Sequence, residues 1–388
     1  MFLKAAGGKI VCVMVDKVID ADNVRMGYAA VAQALAEDIG AGKYAPGRRF
    51  PSLTAIMRRF GVSRVTASRA IGELKRRGIV TTALNSSTRV RDRTVGLILP
   101  GVAYAESFQQ IMAGLARCCS REGWKMAFGE AFSDDPAKRA LEAKALAESF
   151  VRQRVVGAIF QPVSLTDDAA EINLGIVSGF DAAGIPLVLL DNDIAPAPER
   201  SAHDLVGVNN FEAGRRIAVH LVATGARRVA FLLHRNAAPS VRLRRDGLAA
   251  QIADAHCGTS FRDLASEPDD AAAVSRFLRA WRPDAFVCAN DKSAAILMQT
   301  LRALGRRIPE DVMVAGFDNI QIACVTTPPL TTVRQPCAEI AETAIRVLAE
   351  RIANPSLLPR EIYLPAPLVV RESTNPSPRP RRNKEKLK

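Results

Sequence analysis

Residues 285–315 read AFVCANDKSAAILMQTLRALGRRIPEDVMVA, and the pattern in them decides the fold. Ala285–Cys288 is a short apolar run, the signature of a strand covered on both faces. Lys292–Leu304 has the period and length of a helix, and Val312–Ala315 is a second apolar run. The alternation continues upstream. Strands are expected at Val95–Leu99, Lys125–Phe128, Ala158–Phe160, Leu187–Leu190 and Val229–Leu233. Helices are expected at Phe108–Glu122, Lys138–Val151, Glu212–Thr224 and Ala272–Trp281. Short apolar strands separated by helices imply a doubly wound parallel α/β sheet, and this many strands need more than one such sheet.

Ahead of residue 94 the texture differs. Tyr28, Val31, Ala32, Leu35 and Ile39 recur at helical spacing, and Gly40 and Gly42 stop that helix. After the turn at Tyr44-Ala45-Pro46-Gly47, Ser52 caps a second helix with Leu53, Ile56, Met57 and Phe60 on its apolar face. Gly61 breaks it. Ser63 caps a third helix running to about Arg77, closed by Gly78. Ile79–Thr82 and Thr88–Arg91 read as two short strands around Asn85-Ser86-Ser87, a wing. Two helices joined by a tight turn, the second rich in Arg, then a wing, form a winged helix-turn-helix. At about 100° per residue, Ala67, Ala70, Ile71 and Leu74 pack inward, leaving Val65, Arg69, Gly72 and Arg76 outside with Ser68 at the flank. Arginine reads guanine edges in the major groove, Val65 is sized for a thymine methyl, and Ser63, Thr66 and Ser68 suit phosphates. Arg48 in the preceding turn joins this set.

Charge supports the same division. The formal net charge is +13. Residues 26–93 hold 13 Lys and Arg against four acids, and residues 376–388 hold six against Glu385, so the remainder is near neutral. Positive charge confined to one small segment is the footprint of a nucleic-acid domain attached to a body with another task. The tail PSPRPRRNKEKLK has no apolar pattern and reads as disordered. Residues 1–25 fit no element and read as an N-terminal extension. A translation start at Met26 accounts for them, and peptides from residues 4–25 detected in the native protein refute that account. The expected boundaries are 1–25 extension, 26–88 head, 89–93 linker, 94–373 body and 374–388 tail.

Other classes fare poorly. No apolar run reaches the ~20 residues of a membrane span, and Asp16 and Lys17 interrupt the stretch Ile10–Val15 before a signal-peptide core forms, so a cytoplasmic protein is expected. The seven cysteines, odd in number and without a CxxC, read as free thiols rather than disulfides or zinc ligands. His203, His220, His234 and His256 are too scattered for a metal site or a catalytic dyad. There is no GxxxxGK[ST], GxSxG, HExxH or GxGxxG after a strand, so an enzyme is not expected, nor a metal or cofactor. An exported sugar-binding transport protein on the same scaffold is disfavoured by the basic head and the missing signal peptide.

Residues 28–90 resemble the GntR-type winged helix in GKYAPGRRFPS, FGVSRVTASRAIGELKRRGIV and the wing segment NSSTRV. The resemblance implies that Arg64 and Thr66 contact DNA. Thr54 and Ser68 stand where the family often has Arg, and Asn85 and Ser87 stand where it often has Gly, so the usual operator sequence is not implied. Residues 94–373 resemble the LacI/GalR effector domain, related to periplasmic sugar-binding proteins, in TVGLILP, FVCANDKSAA, GRRIPEDVMVAGFDN, PPLTTVRQP and LVVREST. That resemblance implies two α/β lobes joined by three crossing strands, a ligand between them, and a homodimer. It places Asp191, Arg244 and Asp291 on effector-contacting positions.

The residues read on their own are compatible with this. Ligands bind beyond the carboxyl ends of strands in open α/β sheets, where Gln161, Asp191 and Asn290-Asp291 fall. Carboxylates accept from paired hydroxyls and Arg donates as a planar fork, the chemistry a polyol needs. Tyr104, after the first strand, is a candidate aromatic wall; Asp318 is assigned to the crossover or cleft wall; Asp291 can equally be a helix cap. The reading is a ligand-responsive transcriptional regulator, a repressor of carbohydrate-utilisation genes with operator DNA and a small sugar as partners. The alternative is a corepressor-type regulator that answers to a nucleobase or other small metabolite.

Overall fold

The computed structural model describes residues 13–14, 17–18, 26–40, 43–44, 49–82, 88–90, 93–103, 105–129, 131, 133–196 and 198–375. The chain divides into two units, Met1–Arg93 with Glu122–Lys125, and Thr94–Arg121 with Met126–Lys388. Near the start, β1 (Val13–Met14) pairs antiparallel with β2 (Lys17–Val18). The tail 376–388 expected to be disordered, the linker residues 91–92, the wing tip 83–87, Arg48 and Tyr104 lie outside the described residues.

The helices of the head begin and end where the sequence supplies caps. α1 spans Tyr28–Gly40, α2 Leu53–Phe60 and α3 Arg64–Arg76. Ser52 accepts a hydrogen bond from the Ala55 amide at 3.2 Å and Ser63 one from the Thr66 amide at 3.2 Å, each satisfying an amide that the first helical turn leaves unpaired. Gly61 closes α2 at φ +63°, a left-handed cap that suits a residue without Cβ. β3 (Val80–Thr81) and β4 (Arg89–Val90) form the antiparallel wing, so Arg89 belongs to the hairpin and not to a linker. Val31, Leu35, Ile56, Ala67, Ala70 and Leu74 form the wholly buried centre of the head. Asp38 ties α1 to α2 by pairing with Arg59 and, at 2.5 Å, with Lys43. The Arg59 guanidinium, then Lys43, holds the Asp38 carboxyl below its ordinary range.

The second unit has two six-stranded sheets. Lobe one contains β5 (Thr94–Ile98), β6 (Lys125–Ala127), β7 (Gly157–Phe160), β8 (Leu187–Leu190), β9 (Asp204–Val208) and β15 (Glu361–Leu364), in the order β15-β9-β8-β7-β5-β6. Lobe two contains β10 (Arg228–Leu233), β11 (Ser260–Ala265), β12 (Ala285–Cys288), β13 (Met313–Asp318), β14 (Thr331–Arg334) and β16 (Leu368–Val369), in the order β11-β10-β12-β13-β14-β16. Among the described pairings within these two sheets, only β14–β16 is antiparallel. Lobe one carries α4 (Glu106–Arg121), α5 (Pro136–Gln153), α6 (Ala169–Ala182) and α12 (Cys337–Ala353). Lobe two carries α7 (Asn210–Ala223), α8 (Pro239–Asp254), α9 (Ala271–Trp281), α10 (Asp291–Ala303) and the short α11 (Gln321–Val325). The chain passes between the lobes three times, at 208–210, 334–337 and 364–368. Phe150, Phe160 and Phe180 fill lobe one, and Phe286, Leu297 and Val314 fill lobe two.

Several elements escaped the sequence pattern. β9, β11, β14, α6, α8 and α12 were not among those read. β11 is an edge strand whose residues are mostly exposed, so it lacks an apolar run. α8 buries Ser240, Arg244 and Gly247 beside Leu248 and Ile252, so polar and small residues occupy its inner face. The ordered chain also runs past residue 373. Thr374 is wholly buried and its hydroxyl lies 2.7 Å from both Thr331 Oγ1 and His220 Nε2, so the tail cannot begin at 374.

Candidate functional site

In the head, α3 presents Arg64, Val65, Ser68, Arg69, Gly72 and Arg76 to solvent, while Ala67, Ala70 and Leu74 are buried. Val65 is 62% exposed, an apolar side chain left in water on an otherwise polar face. Ser63 and Thr66 are bonded to each other through their hydroxyls at 2.9 Å, which holds the first turn of α3. Arg76 pairs with Glu73, as Arg77 does at 2.8 Å. The guanidinium groups of Arg64 and Arg69 have no hydrogen-bonded or ion-paired partner among the described residues. An exposed cationic helix face beside a wing can enter a DNA groove.

In the body, the carboxyl ends of the strands bring polar groups from both lobes together. Asp191 follows β8 with φ +71°, and Asp318 ends β13 with φ +107°, followed by Asn319 at +57°. Left-handed backbone at a non-glycine residue costs about 1–3 kcal/mol and concentrates where a side chain must be aimed. Ser240, at the start of α8, donates its hydroxyl to Asp191 at 2.7 Å and its amide to Asn192 Oδ1 at 3.3 Å, joining lobe two to lobe one. From α4, Ser107 donates to Asp318 at 3.4 Å.

Arg244 is the centre of this cluster. Its Nε donates to Asn210 Oδ1 at 2.8 Å, one terminal nitrogen to the Ala289 carbonyl at 2.8 Å, and the other to Gln335 Oε1 at 3.4 Å. The guanidinium lies 4.7 Å over the Phe317 ring and 3.7 Å from Asp318. Burial pushes the Asp318 carboxyl up to about 6; Arg244 opposes the shift and the Asp191 charge adds to it. Asn210, Ser240, Ser107 and Gln335 were not singled out from the sequence. Ser240 sits four residues before Arg244, the spacing that places both on one helix face, but α8 itself was not recognised.

Asp291 stands apart. It is wholly buried, and its carboxylate accepts from Thr332 Oγ1 at 2.6 Å and from the Ile320 amide at 3.0 Å. The α10 cap is Asn290, which accepts from the Ser293 amide at 2.8 Å, so Asp291 is not the cap. Its oxygens brace the 318–320 turn behind Asp318. Burial, and next the Asp318 charge, push its carboxyl up to about 8. A carboxyl whose folded value lies above the unfolded value stabilises fully below about pH 4. That contribution fades as pH rises through 8. Melting temperature measured from pH 4 to 9 is expected to fall in the native protein relative to Asp291→Asn; parallel profiles overturn this assignment.

Gln161 is buried and accepts from the Gly101 amide at 2.8 Å, which shapes the turn after β5. A concavity of about 510 Å³ adjoins the cluster, lined by Asp191, Asn210, Arg200, Arg242 and Tyr363 among others. A second of about 430 Å³ includes Asn173, Asn192 and Asn236. Both volumes are those of small-ligand sites. Among the described residues no group of three or more His, Cys, Asp or Glu is placed to hold a metal, and no helix is long and apolar enough to cross a membrane.

A cationic winged helix on one unit, and on the other a two-lobed α/β body with buried charges where its lobes meet, define a DNA-binding protein with a small-molecule sensor. Residues 27–90 match the gntR family of bacterial regulatory proteins, and residues 218–374 match a periplasmic binding protein-like domain. The chain is 26% identical over 368 residues to the arabinose metabolism transcriptional repressor of Geobacillus stearothermophilus, covering 89% of this chain and 97% of that one. It is 27% identical over 287 residues to the transcriptional repressor PurR of Mannheimia succiniciproducens, covering 72% and 81%. The transcriptional regulator CelR in complex with cellobiose shares the fold, with a TM-score of 0.61 and 24% identity over 89% of this chain and 99% of that one. The chain is a transcriptional regulator in which a GntR-type DNA-binding domain is joined to a periplasmic-binding-protein-like effector domain.

Proposed function

We propose that this regulator is a cytoplasmic homodimeric repressor of carbohydrate-utilisation genes whose operator affinity is set by a small sugar bound between the two lobes. The observation that carries the reading is the convergence of Asp191, Asp318 and the Arg244 fork from both lobes at the strand ends. Two carboxylates and one guanidinium supply acceptors and donors for adjacent hydroxyls of a neutral ring. The relative named for arabinose metabolism and the regulator solved with cellobiose support a sugar as the ligand class. A sugar hydroxyl takes the place that the Ser240 hydroxyl holds on Asp191 and so changes how the lobes meet. The heads of a dimer then shift in or out of register with adjacent half-sites. A coupling of about 1–3 kcal/mol changes operator affinity about 5–150-fold.

Fluorescence anisotropy with a labelled fragment of the gene's own upstream region tests both halves. Saturable binding that one pentose or hexose weakens is expected. Binding strengthened by a nucleobase establishes the corepressor alternative, and no ligand effect across the panel sinks the sensor reading. Arg64, Val65, Ser68 and Arg69 carry the DNA contacts in this proposal. Val65→Glu is expected to weaken operator binding more than tenfold, because it replaces an apolar contact with a thymine methyl by a carboxylate inside the negative field of the DNA. Its melting temperature is expected to hold, since the side chain is exposed. Undiminished binding by this variant would displace α3 as the reading helix.

A further inference from the structure

The amino ends of the lobe-two strands, at the opposite end of the sheet from Asp318, carry a second charged concavity. It has a volume of about 670 Å³ and is lined by Arg228, Arg279, Arg282, Arg306, Asp284 and Asp311 with three apolar or imino residues between them. Arg228 opens β10, Arg279 lies in the last turn of α9, Arg282 is the α9 cap, and Arg306 follows α10.

The two carboxylates are already committed. Asp284 accepts from the backbone amides of Arg227 and Arg228 at 2.9–3.0 Å. Asp311 is gripped in two-pronged fashion by Arg307, at 2.7 and 3.1 Å, and that guanidinium holds its carboxyl down to about 2. Arg279 donates to Ser275 at 2.7 Å, a neutral partner. The guanidinium groups of Arg228, Arg282 and Arg306 have no hydrogen-bonded or ion-paired partner among the described residues; the charge of Arg306 acts on Asp311 without an ion pair between them. The C-terminal ends of α9 and α10 meet here, and a cation near a helix C-terminus is favoured by about 0.3–1 kcal/mol. That accounts for one arginine at each helix end. It does not account for Arg228, which opens a strand, nor for gathering four like charges around one hollow.

We propose that this hollow is a second small-molecule site, for a metabolite carrying two phosphate groups. Each guanidinium can take a phosphate in a planar, two-bonded fork, and four of them exceed what one phosphate uses. The volume lies within the range of small-ligand pockets and well above that of a single inorganic ion. Inorganic pyrophosphate, a sugar bisphosphate and a nucleoside diphosphate all carry two phosphate groups, joined through one oxygen in the first and last and set apart on the ring in the second.

Isothermal titration of the full chain with pyrophosphate, fructose 1,6-bisphosphate and ADP in turn distinguishes the three sources by affinity. Inorganic phosphate and fructose serve as the weaker and the uncharged comparison. The result expected is saturable binding of at least one diphosphate, at least tenfold tighter than phosphate, and lost at least tenfold in the double variant Arg282→Ala/Arg306→Ala. Both residues are exposed, so the variant is expected to melt with the native chain and to keep its operator affinity. The basic head is the competing anion site. Binding that survives the double variant but falls in Arg64→Ala/Arg69→Ala overturns the proposal. So does the absence of diphosphate binding at millimolar concentration, or displacement of the diphosphate by duplex DNA of unrelated sequence.

Discussion

Arg244→Ala is expected to abolish the effect of the sugar on operator affinity while leaving unliganded operator binding in place. The side chain is 6% exposed and joins Asn210, the Ala289 carbonyl, Gln335 and Asp318, so its loss disconnects α7, α8, β12 and the 334–337 crossover at once. Removing one partner of a buried charged pair costs about 3–5 kcal/mol, because the other charge is left without compensation. Asp318 softens this by taking up a proton, since burial already pushes its carboxyl up to about 6 and it loses the larger of the two neighbours, Arg244 and Ser107, that oppose the shift. The loss of stability is therefore expected to grow between pH 5 and 8. Thermal unfolding across that range, read beside anisotropy, checks it. Arg244→Lys separates charge from geometry. Lysine restores a cation near Asp318 but cannot make the three diverging donations, so it is expected to recover stability and not the response. A sugar response retained in Arg244→Ala would remove this residue from the sensor.

The second large effect is expected at Gly247. A Cβ there stands 1.9 Å from the Phe211 carbonyl oxygen, and one at Gly214 stands 2.0 Å from the Arg244 carbonyl oxygen. Both obstacles are backbone, so neither helix can relieve the clash by turning a side chain. α7 and α8 must separate, and overpacking of this kind costs about 1–3 kcal/mol or more. Gly247→Ala is expected to reach the upper end of that range. It is also expected to lose the sugar response, because Arg244 lies one turn away on the displaced helix. Gly175→Ala is the comparison: it lies within α6 with nothing inside 4 Å of its Cβ, and is expected to stabilise by about 0.5–1 kcal/mol. Chemical denaturation of the two variants beside the native chain gives both numbers. Equal stability of Gly247→Ala and the native chain would mean that the two helices do not pack this closely.

The head was legible in the sequence because its determinants are local. Ser52, Gly61 and Ser63 set helix ends through bonds to residues within four positions. The period of Ala67, Ala70 and Leu74 set which face of α3 is free. The alternation of buried strands and helices in the body was legible for the same reason, and it set Asp191 at a strand end, whereas Asp318 lies three residues beyond the strand read at Val312–Ala315 and was assigned only to the crossover or cleft wall. Tertiary structure decided the rest. Asp291 reads like a ligand from its motif, yet Thr332 and Ile320, 41 and 29 residues away, take up its carboxylate. Arg244 acquires its role from Asn210, Ala289 and Gln335, the last 91 residues distant. α8 hides from periodicity because a close backbone-to-backbone contact replaces its apolar stripe with glycine, serine and arginine. Local hydrogen bonds and periodicity are written in neighbouring residues; the desolvation and pairing of a buried charge depend on groups that only the folded chain brings within reach.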